Sequence, residues 1–429
     1  MAIAGSAALG KKLAKRDWAI AIAGFAAFIF LLSTFTDFAP VNRLPTPPPA
    51  TAPDLVDLTL SRVARARAAY CLDGSVPGYH FRKGSGSGAR SWILHIEGGG
   101  WCDSVESCSF RKTTALGSSD FMDPRVPFSG ILSSDEKRNP DFHSWNKVKI
   151  RYCDGASLAG VPESELKLGN SSGLFFRGRL IWESLMEEFL SMGLSSAKQA
   201  ILSGCSAGAL ATLIHCDGFR EMLPDDATVK CVSDAGFFLN EKDVTGSSTM
   251  ESFYGRVVSL QGLAKSLPKE CTARSEASTC LFPREIIPTV KTPVFVVNPA
   301  YDFWQIQNVL VPSSKMAFAS NWFKCRQGLR YCDPDQVAKL QEFRNSLLNA
   351  LSDFQKHHDE GGMFVNSCYI HCQTWMGETW HSPSSPRIDG RTIAEAVGDW
   401  FFNRRAVKLI DCAYPCNPTC YHMDFTKRG

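Results

Sequence analysis

Apolar and polar positions change period repeatedly along the chain, and each change marks an element. Residues 92–97 and 147–152 alternate as half-buried strands do, while 200–202, 229–234 and 293–298 are apolar runs of the length a buried strand needs. Residues 174–190 and 392–402 carry the helical period. So do residues 334–357, where Leu340, Phe343, Leu347, Leu351 and Phe354 fall on one face. A hairpin-like opening is predicted at 70–79. No internal repeat is found. Strands alternate with helices, which predicts an α/β fold: a mostly parallel central sheet with helices on both faces, three layers in all.

The rest is organised around residues 199–208. A short apolar strand runs into Gly204-Cys-Ser-Ala-Gly208, and Ala209-Leu-Ala-Thr-Leu-Ile-His215 then reads as a helix start. Strand, glycine turn and helix form the context of a nucleophile elbow, which lifts its serine above the sheet. Ser206 is the candidate nucleophile. An ordinary glycine-rich connection is the bland alternative, and the helical context speaks against it.

With 429 residues, 44% hydrophobic and 21% charged, the chain is long enough for a large packed core. A net charge of +3, from 46 basic and 43 acidic residues, gives no footprint for nucleic acid. Sixteen cysteines change the picture more. Cys102 with Cys108, Cys271 with Cys280, Cys325 with Cys332, and the group Cys412, Cys416 and Cys420 lie close in sequence, as in a disulfide framework built in an oxidising compartment. Cys205, inside the turn, is the thiol whose pairing stays open. Paired Cys-x2-Cys spacing is missing, so no metal and no cofactor are expected.

The N-terminal region supports the same compartment. Lys11, Lys12, Lys15 and Arg16 precede an uncharged apolar run at 18–36. At about 1.5 Å per residue such a run can cross a hydrocarbon core of roughly 30 Å. The charges place the N-terminus in the cytosol and the remainder in the lumen or outside. Residues 1–38 are therefore expected to be a signal-anchor, residues 39–54 a proline-rich spacer, and residues 55–429 the folded domain, with a cleaved signal peptide as the alternative. Asn170-Ser-Ser172 is a glycosylation sequon. A monomer is expected.

Chemistry-bearing residues follow in the order nucleophile, acid, base that α/β hydrolases use. Asp302 follows the strand at 293–298, and His371 lies in Tyr369-Ile-His-Cys372. Serine becomes a strong nucleophile only when a neutral imidazole takes its proton, and a carboxylate fixes the imidazole's tautomer. Asp234, after another strand, remains open as the acid, and His381 as the base. His95 reads as a sheet residue. Gly98-Gly-Gly-Trp101 ends a strand. Backbone amides of Gly99, Gly100 and Trp101, with that of Ala207, are candidates to surround an oxyanion. The Trp101 indole is expected to cover a small acyl group or a sugar face, with packing of the strand end as the alternative.

These residues resemble the plant pectin acetylesterases, grouped with the Notum-like carboxylesterases. The resemblance spans roughly residues 60–425. It is carried by Tyr-Cys-Leu-Asp-Gly-Ser-Val-Pro-Gly-Tyr at 70–79, Glu-Gly-Gly-Gly-Trp-Cys at 97–102, Gly-Cys-Ser-Ala-Gly at 204–208, Ser-Asp-Ala-Gly-Phe-Phe at 233–238 and Ser-Cys-Tyr-Ile-His-Cys-Gln at 367–373. It implies an α/β-hydrolase fold and metal-free hydrolysis of acetyl esters of acetylated pectic polysaccharide by Ser206, Asp302 and His371. It also selects His371 over His381 as the base. Removal of a lipid acyl group from a protein is the alternative activity. The implied location is the cell wall, or the outer or luminal face of a membrane. The apolar N-terminal segment and the spacer depart from the pattern and leave free secretion open.

Overall fold

In the computed structural model the described residues are 54–161, 173–315 and 319–427, and they all fall in one unit running from 53 to 429. The predicted signal-anchor, nearly all of the spacer and the sequon at Asn170 lie outside the described residues. Among the described residues no helix is long and apolar enough to cross a membrane.

Ten strands form one sheet: β1 (Leu55–Leu60), β2 (Gly78–Arg82), β3 (Ser91–Ile96), β4 (Arg125–Pro127), β5 (Asn146–Ile150), β6 (Gln199–Cys205), β7 (Thr228–Asp234), β8 (Val294–Val297), β9 (Gly362–Val365) and β10 (Lys408–Ile410). Their order is β10-β9-β8-β7-β6-β3-β5-β2-β1-β4. From β10 to β5 every pair is parallel, and β2, β1 and β4 extend the sheet in antiparallel fashion. The strands around β6 are apolar on both faces because both are covered. Leu94, Ile96, Leu202 and Val296 pack into the larger cluster on one face, and Ile93, Ile201, Val232, Phe295 and Val297 into the other. Alternation within each strand thus becomes two cores separated by one sheet.

Among the described residues the six α-helices of seven residues or more are α1 (Val105–Arg111), α2 (Gly178–Ser191), α3 (Ala207–Glu221), α4 (Thr249–Gln261), α5 (Pro334–His357) and α6 (Ile393–Phe401). The structure corrects the sequence at several points. The helix expected from residue 174 starts at Gly178. Leu174 and Phe176 instead pack beside the Cys102–Cys108 disulfide. α4 was not predicted; it ends where Gly262 takes φ +68, a left-handed stop. β4 and β10 have three residues each and lie at the two edges of the sheet, too short to show a period.

Eight disulfides use all sixteen cysteines. The three close pairs read from the sequence form as expected. Of the C-terminal group, Cys412 pairs with Cys416 and Cys420 reaches Cys368.

Candidate active site

Parallel strands put their carboxyl ends on one edge, where ligand sites of such sheets gather. β3 ends in the glycine run, β6 in Ser206 and β7 in Asp234, and the loops after β8 and β9 carry Asp302 and His371. Ser206 stands at φ +57 and ψ −125, a conformation that costs on the order of 1–3 kcal/mol for a non-glycine residue. Its amide donates to the Asp234 carbonyl at 2.9 Å, and its carbonyl accepts from Ala209 and Leu210. The flanking glycines are sterically required. A Cβ on Gly204 would lie 2.2 Å from the Gly208 carbonyl oxygen, and one on Gly208 would lie 2.4 Å from the Ile96 carbonyl oxygen. α3 begins at the next residue, so its positive end faces the serine.

Ser206 and His371 line one cavity of about 330 Å³. Asp302 sits behind the imidazole, its carboxylate oxygens 2.9 and 2.8 Å from His371 Nδ1. Asp302 Oδ1 also accepts from the amides of Trp304 and Gln305, so a short helical turn holds the carboxylate in place. A carboxylate only accepts, so Nδ1 carries a proton, and in the neutral imidazole the lone pair is then on Nε2. Nε2 is buried and has no hydrogen-bond partner among the described residues. The Trp304 ring lies 6.1 Å from the imidazole, centre to centre, with the two planes 26° apart.

Two further links fix the histidine loop, one to the nucleophile strand and one to its neighbour β7. The first corrects an open point of the sequence: Cys205, one residue before Ser206, is bonded to Cys372, one residue after His371. The bond spans 167 residues of sequence, for which chain-entropy arithmetic gives about 5 kcal/mol. The second is Asp234. Its Oδ2 accepts from the amides of Gln373 and Thr374, both at 2.7 Å, and from the Thr374 hydroxyl at 2.8 Å. Burial pushes its carboxyl up to about 6. Asp234 therefore braces the loop, whereas Asp302 holds the imidazole. His381 bonds Thr392 Oγ1 through Nδ1 and does not line the cavity. His95 does line it, with Nδ1 3.0 Å from Ser203 Oγ and its basicity lowered to about 3 by burial.

Opposite the serine, the glycine run is held by its carbonyls. Arg111 Nη1 donates to Gly99 O and the Tyr152 hydroxyl to Gly100 O, each at 2.9 Å. Gly100 takes φ +64. No described residue accepts a hydrogen bond from the amides of Gly99, Gly100, Trp101 or Ala207. Trp101 departs from its expected role. Its indole donates to Ser157 Oγ at 2.8 Å and is buried among Phe238, Tyr254 and Trp304. Trp304 and Trp375 form the aromatic wall instead. Burial keeps the Tyr152 phenol protonated as a donor. Tyr152→Phe removes the strap on Gly100 at a cost of about 1–3 kcal/mol. We expect kcat to fall roughly 10- to 100-fold with KM little changed; an unchanged kcat would separate the strap from catalysis.

Trp304, Trp375, Lys149, Tyr152 and Arg111 were not singled out from the sequence. Trp304 had a local signal, two residues after Asp302. Trp375 lies four residues after His371, Arg111 comes from α1, and Lys149 and Tyr152 are brought in by the pairing of β5 with β3.

An elbow at the central strand, a carboxylate–imidazole pair on neighbouring strand ends and a cavity between them define an α/β hydrolase. The pectinacetylesterase family model matches residues 50–421, and the chain belongs to the pectinacetylesterase family. It is 58% identical to pectin acetylesterase 5 of Arabidopsis thaliana, covering 97% of each chain, and 54% identical to pectin acetylesterase 4, covering 95% of this chain and 97% of the relative. Among solved structures, the Wnt deacylase Notum from Drosophila superposes with a TM-score of 0.70 at 25% identity, covering 85% of this chain and 99% of Notum.

Proposed function

We propose that the protein removes acetyl groups from acetylated pectin by a Ser206–His371–Asp302 mechanism. The observation that carries this is the unpartnered Nε2 of His371, which lines the same cavity as Ser206 and whose Nδ1 is held by Asp302. Ser206 Oγ attacks the acetyl carbonyl and passes its proton to Nε2. Negative charge on the former carbonyl oxygen is met by the amides of Gly99, Gly100, Trp101 and Ala207. The intermediate then collapses: the sugar oxygen leaves with the proton from His371, and the acetyl group stays on Ser206. Water, deprotonated by His371, attacks the acyl-enzyme. Acetate departs and the proton returns to Ser206.

Membership in the pectinacetylesterase family and the names of the close relatives support the acetyl ester of pectin as substrate. Eight disulfides support folding in an oxidising compartment, which suits a cell-wall or extracellular enzyme. The cavity, about 330 Å³, lies near the low end of the roughly 300–1,000 Å³ typical of ligand sites and suits a short acyl group on a larger polymer. The likeness to the Wnt deacylase supports the lipid-directed alternative at greater distance. Acetate release from acetylated pectin should occur, and short aryl esters should be cleaved faster than octanoate or palmitoleate esters. The reverse order would move the assignment to the lipid-directed activity.

A further inference from the structure

Lys149 and Trp375 line the cavity that holds Ser206, and neither takes part in the chemistry above. Lys149 projects from β5, and its ammonium is 5.9 Å from the centre of the Trp375 ring. Trp375 is 45% exposed. Its backbone is nevertheless fixed: its carbonyl accepts from Ser129 Oγ at 2.6 Å, and the preceding residue, Thr374, is held by Asp234. The result is a flat, solvent-facing ring on a rigid mount.

The charges nearby can be counted. Glu97 also lines the cavity, with Oε1 3.4 Å from Lys149. Its other oxygen is 2.9 Å from Arg151, whose side chain is only 4% exposed and also reaches Asp123 at 4.0 Å. One carboxylate is thus shared between two cations, and the buried arginine is its nearer partner. His95 adds no charge, because burial lowers its basicity to about 3. Lys149 is 19% exposed, so it keeps donors for a ligand yet attracts charge more strongly than a fully hydrated lysine.

From this juxtaposition we propose that Lys149 and Trp375 form a uronate subsite. The ammonium binds a sugar-ring carboxylate while the indole stacks on the ring face, presenting the neighbouring ester to Ser206. A cation beside an exposed aromatic ring fits an acidic sugar, which offers a carboxylate on one edge and a C–H face. A lipid chain would add nothing for the ammonium to bind beyond Glu97, which it shares with Arg151. The subsite rests on the pectin-directed function proposed above and specifies how the polymer is held.

The test compares the same acetylated polygalacturonate with its carboxylates free and with them methyl-esterified, using the full protein and reading kcat/KM for acetate release. Wild-type protein is expected to favour the free-acid polymer by about tenfold or more, equivalent to one moderately screened ion pair. Lys149→Met should bring that ratio close to one, and Lys149→Arg should keep most of it. Trp375→Ala should weaken both polymers through KM. On the unmodified protein, added salt should lower the ratio, a measurement independent of how the variants fold. A ratio near one in wild type, or one unchanged by Lys149→Met, overturns the subsite and leaves pectin deacetylation standing. Failure of wild type to release acetate from either polymer overturns both.

Discussion

Ser206→Ala should lose about four to six orders of magnitude in kcat, the scale seen when a triad serine is removed, and should still fold. Folding is expected to survive because the serine's structural bonds are those of its backbone. Alanine also tolerates the positive φ of this turn, as Ala235 does at φ 50. Acetate release and a thermal melt on the same preparation check both halves, and labelling by a fluorophosphonate should vanish with the activity. His371→Ala should be nearly as inactive, since an alkoxide cannot form without its base. His381→Ala should lose far less, because its ring bonds Thr392 outside the cavity. A folded Ser206→Ala protein that keeps most of its esterase activity would sink the mechanism.

The parts of this molecule legible in the sequence are those governed by local physics. α5 begins and ends where predicted because Asp333 and Gln336 form a capping box, Pro334 occupies the first turn and the apolar face recurs at helical spacing. β6, β7 and β8 were visible because strands buried on both faces read as apolar runs, and β3 and β5 by their alternation, although β3 proves to be buried throughout. Strands at and next to the sheet edges escaped notice: in β1, beside the edge strand β4, only Val56 is buried, and three residues of β4 or β10 show no period. Around the site, the elbow was legible because its glycines are neighbours in sequence. The Cys205–Cys372 bond, the Lys149–Trp375 pair and the strap from Tyr152 were not, since each joins segments that meet only after the parallel crossovers are complete. Trp101 shows the opposite failure. Its place beside the glycine run suggested a substrate contact, but the indole is buried with four other aromatic rings.

The two aspartates near His371 should respond very differently to the same isosteric change. In Asp302→Asn the amide oxygen is expected to stay at the Oδ1 position, where the Trp304 and Gln305 amides already donate. The amide NH2 then occupies the Oδ2 position, 2.8 Å from His371 Nδ1. It donates, so Nδ1 must accept, and the imidazole proton moves to Nε2. The base is lost although the shape is kept, at a cost on the order of four decades in kcat. In Asp234→Asn the amide oxygen takes the Oδ2 position and retains all three bonds to Gln373 and Thr374. The new NH2 falls at Oδ1, which has no partner. One unpaired buried amide costs about 1–3 kcal/mol of stability, offset in part because a neutral group replaces a carboxyl that burial already pushes up to about 6. Its kcat should therefore stay within about tenfold of wild type, with the change appearing mainly as a lower melting temperature. Side-by-side kcat and thermal melts of the two variants decide it. An Asp234→Asn protein as inactive as Asp302→Asn would make Asp234 part of the proton machinery rather than a brace for the loop that carries His371.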